Sequence, residues 1–167
     1  MKKLVIVING AGGVGKDTLC DFAKESFKVF NISSITPIKE IATLCGWDGK
    51  KDDKSRKFLS DLKLLTVEYN DFPTAWALAR YREFLESDNE IMFVHIREPK
   101  EIEKFIRATD GGAKSLLVRG GERMVKTAFG NTSDDEVENY AYDYYFVNDK
   151  TLDEAKEEFI KFLKNII

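Results

Sequence analysis

Apolar residues fall along this chain in two alternating rhythms. Short, mostly apolar runs rich in branched and aromatic residues stand at 4–8 (LVIVI), 29–32, 91–96, 115–119 and 144–147, the first of them unbroken. Each reads as a short strand, and the unbroken branched run reads as a strand buried on both faces. Between the runs, apolar positions recur every three or four residues, the period of a helix with one face inward. That spacing carries Leu19, Phe22, Ala23 and Phe27 over 16–27, then Ile38, Ile41, Ala42 and Cys45 behind Pro37, a residue suited to a helix start. Phe58, Leu62, Leu65 and Tyr69 share one face of the next helix, which Asp71-Phe72-Pro73 interrupts. A helix over 74–87 follows through Leu78, Tyr81 and Leu85, and Pro99 opens another with Ile102, Phe105 and Ile106. Thr151 and Glu154 have the spacing of a capping box, in which each side chain bonds a free amide. Leu152, Ala155, Phe159, Phe162 and Ile166 face inward on the last helix.

Strands alternating with helices predict an α/β fold of three layers, a five-stranded parallel sheet with helices on both faces. No repeat or linker divides the chain, so 1–167 is expected to form a single domain. In such sheets ligands bind beyond the carboxyl ends of the strands. That rule brings 10–16, 95–97 and 119–123 to one edge. Composition then narrows the partners. The formal net charge is -3, which argues against a nucleic-acid coat or a polybasic membrane anchor, and no apolar segment approaches the length of a membrane span. Cys20 and Cys45 lack metal-ligand spacing and are expected to be reduced, partly buried thiols. A cytoplasmic protein, monomer or homodimer, is the expectation.

The first strand runs into NGAGGVGKDT, 9–18, and then into a helix. Gly10, Gly15 and Lys16 meet the pattern G-x-x-x-x-G-K of a phosphate-binding loop in the strand–loop–helix context it requires. The glycines of Gly10-Ala11-Gly12-Gly13-Val14-Gly15 let successive amides point into one concavity, and the helix N-terminus adds partial positive charge. Lys16 adds a full charge at the β- and γ-phosphates. The bland alternative is a glycine-rich turn with an exposed lysine. Where a Ser or Thr hydroxyl normally holds magnesium stands Asp17, with Thr18 one residue later. Two readings stay open: Asp17 ligates Mg2+ directly or through water, or it caps the helix while Thr18 reaches the metal.

Phosphoryl transfer requires basic groups around the loop. Lys39, Arg56, Arg97, Arg119, Arg123 and Lys126 are candidates, and Arg97 and Arg119 directly follow strands. Each alone also fits a solvated surface charge. His95, the only histidine, ends the third strand where P-loop enzymes place an Asp. It is either a contact or acid–base group near the phosphates or a hydrogen-bonded strand residue. The polar excursion at about 120–140 reads as a lid or as a surface loop with a short helix near 134–140. Trp47, Phe72, Trp76 and Tyr81 could stack on a base or fill the core.

Together these segments resemble the P-loop nucleoside monophosphate kinases, in particular the deoxynucleoside monophosphate kinase-like group of phages and bacteria. The likeness rests on Gly15-Lys16-Asp17-Thr18, on Pro37-Ile38-Lys39-Glu40-Ile41-Ala42, and on Arg56-Lys57-Phe58-Leu59. It extends to Arg97, Pro99 and Glu101, and to Tyr142-Asp143-Tyr144 with Asn148; His95 stands where the group has Asp. The resemblance implies a P-loop NTPase fold and an enzyme that moves the γ-phosphoryl of ATP, with Mg2+, to a small phosphorylated acceptor, most plainly a (deoxy)nucleoside monophosphate. It implies acceptor-binding helices over about 36–88, with Lys39, Arg56 and Arg97 on the acceptor, and Arg119 and Arg123 on the lid or adenine side. Ser133 and Glu136 would correspond to the group's lid element. The alternatives are a non-catalytic ATP- or ADP-binding module and a kinase of a non-nucleotide metabolite such as dephospho-coenzyme A.

Overall fold

A computed structural model describes residues 2–121 and 136–167. Its sheet contains β1 (Leu4–Asn9), β2 (Val29–Ser33), β3 (Ile91–His95), β4 (Ala113–Gly120) and β5 (Tyr144–Asn148), in the order β2-β3-β1-β4-β5. All four pairings are parallel. The helices of the described residues are α1 (Lys16–Ala23), α2 (Thr36–Leu44), α3 (Asp53–Asn70), α4 (Phe72–Glu86), α5 (Pro99–Ala108) and α6 (Leu152–Ile166). The predicted three-layer architecture and all five strands are present.

The period of two along β1 builds the two halves of the core. Leu4, Ile6 and Ile8 face one layer, packed with Leu19 and Cys20 of α1 and Phe159 and Leu163 of α6. Val5 and Val7 face the other, with Ala77 and Phe84 of α4 and Ile102 and Phe105 of α5. Because both faces are covered, every residue of β1 is buried. Phe159 sits at the centre of the first half, its ring 5.1 Å from that of Phe146 and 6.2 Å from that of Phe93. Burial of one such side chain contributes about 1.5–3 kcal/mol. The capping box forms as predicted, with the Glu154 amide donating to Thr151 and the Thr151 amide to Glu154.

Four expectations are corrected. Helix α1 ends at Ala23 rather than near Phe27, because the Lys24 and Glu25 amides bond three residues back, to Asp21 and Phe22, and the chain turns so that Phe27 packs against the core. Leu152 is 69% exposed in the first turn of α6, and Cys45 is exposed just beyond α2. Helix α3 is rotated about 100°, one residue, from its predicted inward face. Phe58, Leu65 and Tyr69 are exposed, and its half-buried stripe runs through Ser55, Leu59, Leu62, Lys63, Thr66 and Val67. The reason is position: α3 packs on α2 and α4 outside the sheet layers, and its inner side faces a cleft rather than the core. At the α3–α4 junction Asp71 adopts a left-handed conformation, φ 53°, which breaks the helix where the sequence places the interruption.

Candidate functional site

The loop that leaves β1 is shaped by two contacts that admit only glycine. A Cβ at Gly10 would lie 2.4 Å from the backbone oxygen of Val118 in β4, so the loop crosses the neighbouring strand at van der Waals limit. Gly15 has φ 90°, a left-handed conformation, and a Cβ there would lie 2.7 Å from Nδ2 of Asn148. Val14 is buried and pins the middle of the loop into the first core half. Two asparagines hold its ends. Asn9 donates to the Arg97 carbonyl and to Tyr142 Oη, 2.9 Å each, and accepts from the Gly10 amide. Asn148, from the end of β5, donates to the Val14 carbonyl at 2.8 Å. Burial pushes the Tyr142 hydroxyl up to about 12, so it remains a neutral partner for Asn9.

Leu19 is the first amide of α1 to bond back, to Gly15 at 3.0 Å, which leaves the amides of Asp17 and Thr18 at the helix mouth for an anion. The Lys16 ammonium lies inside the loop, hydrogen-bonded to the Gly10 carbonyl and, at 3.2 Å, to that of Ala11. A charge so held needs only a local swing to meet a phosphate.

Asp17 does not turn back onto its helix. Its side chain is 93% exposed, and Oδ1 lies 4.0 Å from Nδ1 of His95, which closes β3. The other imidazole nitrogen, Nε2, donates to Asn31 Oδ1 of β2 at 2.9 Å and touches Cys20 Sγ at 3.8 Å. His95 is thus hydrogen-bonded within the sheet at Nε2, as one of the two sequence readings has it, and Nδ1 is the nitrogen nearer Asp17. Burial holds the imidazole below its ordinary value; Asp17 pulls it up, and Lys16 and Arg97 pull it further down. It is neutral at neutral pH. Asp17, Thr18 and His95 together offer a carboxylate, a hydroxyl and an imidazole nitrogen, a donor set that fits a divalent cation beside phosphate.

Opposite the loop, an open cleft of about 1060 Å³ extends beneath α2 and α3. Its walls include Lys39, Lys50, Lys51, Arg56 and Arg97 along with Lys16, Asp17 and Thr18. Glu98, an acid of the lining next to Arg97, is paired with Lys63 of α3 at 2.6 Å. Of the predicted loop residues, Gly12, Gly13, Gly15, Lys16, Asp17 and Thr18 line one cavity with Lys39, Arg56 and Arg97, whereas Gly10, Ala11 and Val14 do not. Arg119 is not in it: its guanidinium bonds Glu138 at 2.8 Å and lies 4.7 Å from the Tyr145 ring centre. Arg123, Lys126 and Ser133 lie outside the described residues, as does most of the 120–140 segment; at 136–140 the chain forms turns, not helix. Of the aromatic candidates, Trp47 lines the cleft, its indole donating to the Lys50 carbonyl, whereas Trp76 and Tyr81 pack against the second core half. Lys50, Lys51 and Asn31 carry no motif; only the fold brings them to the site.

No family model matches this sequence, and neither does any curated protein. Solved structures do. Shikimate kinase from Aquifex aeolicus is similar over 98% of both chains, at 10% identity and a TM-score of 0.53. Gluconokinase from Sinorhizobium meliloti matches 99% of this chain and 93% of its own, at 16% identity and a TM-score of 0.51. Shikimate kinase from Bacteroides thetaiotaomicron matches 98% of this chain and 97% of its own, at 17% identity and a TM-score of 0.51. At such identities the likeness is one of architecture, and with the loop geometry it establishes that this chain has the three-layer fold of the P-loop kinases.

Proposed function

We propose that the protein is an ATP-dependent phosphotransferase whose acceptor is itself a small phosphorylated molecule, most plainly a (deoxy)nucleoside monophosphate. The observation that carries this reading is one cleft lined by two cationic surfaces: the loop with Lys16, and Lys39, Lys50, Lys51 and Arg56 of α2, α3 and the segment between them. A neutral acceptor has no use for the second surface. An acceptor phosphate held there would present its oxygen in line with the γ-phosphorus of ATP bound at the loop. The bond from that phosphorus to the β–γ bridging oxygen breaks, the bond to the acceptor oxygen forms, and ADP leaves.

The chain's part in this is placement and charge. Loop amides and Lys16 would hold the β- and γ-phosphates, and Arg97, two residues beyond β3 and part of the same cleft lining, would meet the transferring group. Asp17 and Thr18 would hold the nucleotide's Mg2+, which neutralises phosphate charge when bound. Arg119, once released from Glu138, and Arg123 would act from the lid and adenine side. The helices between 36 and 88 would form the acceptor half.

A second reading takes a non-nucleotide acceptor. It is favoured by the fold likeness to kinases named for shikimate and gluconate, and opposed by the basic wall. ADP release measured against a panel of nucleoside monophosphates, other phosphorylated metabolites and uncharged polyols separates the two. Turnover with a nucleoside monophosphate, lowered on the order of 10²–10³ in kcat/KM by Lys16→Ala, is the expected result. ADP release that no phosphorylated acceptor stimulates refutes the proposal.

A further inference from the structure

We infer that His95 is a direct ligand, through Nδ1, of the divalent cation that accompanies the nucleotide, and that the site consequently favours Mn2+ over Mg2+. The inference rests on the nucleotide reading above and adds to it a nitrogen ligand and a metal preference.

Three features of the geometry carry it. First, Nε2 is committed: its contact with Asn31 Oδ1 at 2.9 Å assigns the ring proton to that nitrogen, which leaves the lone pair of Nδ1 facing the cleft. Second, the atom it faces is the Asp17 carboxylate oxygen, 4.0 Å away. An unprotonated nitrogen and a carboxylate are both acceptors, so they do not bond each other; a cation or a donor between them satisfies both. Third, the pair lies on the wall that also contains Lys16 and Thr18, where the phosphates would lie. Adjacent ligands of an octahedral cation with bonds of about 2.1–2.2 Å are roughly 3 Å apart. Rotation of the exposed Asp17 side chain closes the remaining gap, while His95, held by Asn31, stays in place.

The arrangement has the form of an oriented metal-binding histidine: one nitrogen on the metal, the other on an oxygen acceptor that fixes the tautomer and the ring plane. Imidazole suits transition metals, whereas Mg2+ prefers an all-oxygen shell. A histidine where a carboxylate would serve Mg2+ through its water is thus a change of metal chemistry and leaves the loop intact.

Because His95 is the only histidine, a preparation without a histidine tag and labelled with 15N-histidine carries a single imidazole probe. Pulsed EPR of the Mn2+·ADP complex is expected to show a 15N coupling of a directly bound nitrogen, absent in His95→Gln. Calorimetry on the same samples is expected to give wild-type affinity for Mn2+·ADP about tenfold above Mg2+·ADP, a preference lost in His95→Asp. Asn31→Leu, which removes the ring's anchor, is expected to lower that preference with the ligand still present. Calorimetric binding of Mn2+·ADP with no 15N coupling in the wild-type protein overturns the inference and leaves the nucleotide site standing. Absence of any ADP binding removes both.

Discussion

The contact between Gly15 and Asn148 permits a quantitative test of how the phosphate loop is held. Gly15→Ala introduces two separate costs. The residue keeps φ near 90°, a region that penalises a Cβ by roughly 1–2 kcal/mol. The new methyl also lies 2.7 Å from Asn148 Nδ2, so the amide must withdraw from its 2.8 Å bond to the Val14 carbonyl, a loss of about 1 kcal/mol. Gly15→Ala is therefore expected to lower stability by roughly 2–3 kcal/mol. Asn148→Ala alone forfeits the hydrogen bond, again about 1 kcal/mol. In the double variant the bond is already gone and the space is open, so only the backbone strain is added. The double variant should match Gly15→Ala within error, a coupling of about 1 kcal/mol in the sub-additive direction. Urea unfolding of the four proteins measures it. If the two costs add to within about 0.3 kcal/mol, Asn148 does not buttress the loop in the way described. ADP affinity, measured alongside, should fall in all three variants, because each frees the same turn.

Other perturbations test other links. Phe159→Ala empties the centre of one core half, where the ring meets Phe93, Phe146 and Phe162. A loss of about 3–5 kcal/mol is expected, seen calorimetrically as a fall of roughly 6–20 °C in Tm; a loss below about 1 kcal/mol would contradict the assigned packing. Asn9→Ala strands the Gly10 amide and removes one bond to the Arg97 carbonyl, which should cost about 1–3 kcal/mol and weaken ADP binding in a direct titration. The two thiols should separate under a disulfide reagent at pH 8. Cys45 is exposed and reacts at once; Cys20 is buried, and burial together with Asp17 and Asp21 pushes its thiol up, so it reacts only on unfolding. Two fast thiols in the folded protein would refute that difference.

The strands were the most legible part of the chain because a strand covered on both faces writes its burial into unbroken apolar letters. All six residues of β1 are buried and all but Asn9 are apolar, and the glycine that follows is demanded by the Val118 carbonyl. Helix faces were legible only where the helix covers the sheet. On α5 and α6 the apolar stripe and the buried stripe largely coincide, as Ile102, Phe105, Ala155 and Phe159 show. On α3 they separate. Its inner side carries Ser55, Leu59 and Lys63 because it borders a cleft, and Lys63 is needed there by Glu98. An apolar-inward rule assumes that the inside is core; for a helix that roofs a ligand site, the inside is where the polar chemistry belongs.

The same geometry explains why the second cationic surface was only half visible. Lys39 and Arg56 stood out because short motifs contain them, while Lys50 and Lys51 belong to a mixed-sign loop that reads as ordinary solvated chain. What sets the cleft apart is the count of charges that line it. Among the described residues these are Lys16, Lys39, Lys50, Lys51, Arg56, Lys63 and Arg97 against Asp17 and Glu98, so a protein of net charge -3 presents a basic cavity even though Glu98 offsets Lys63 and Asp48 offsets Lys50. Low-dielectric walls concentrate the field of such a cavity and raise the encounter rate of an anion, an effect that salt weakens. Net charge bears on the whole surface, but an anion entering the cleft meets its lining, where cationic side chains outnumber acids.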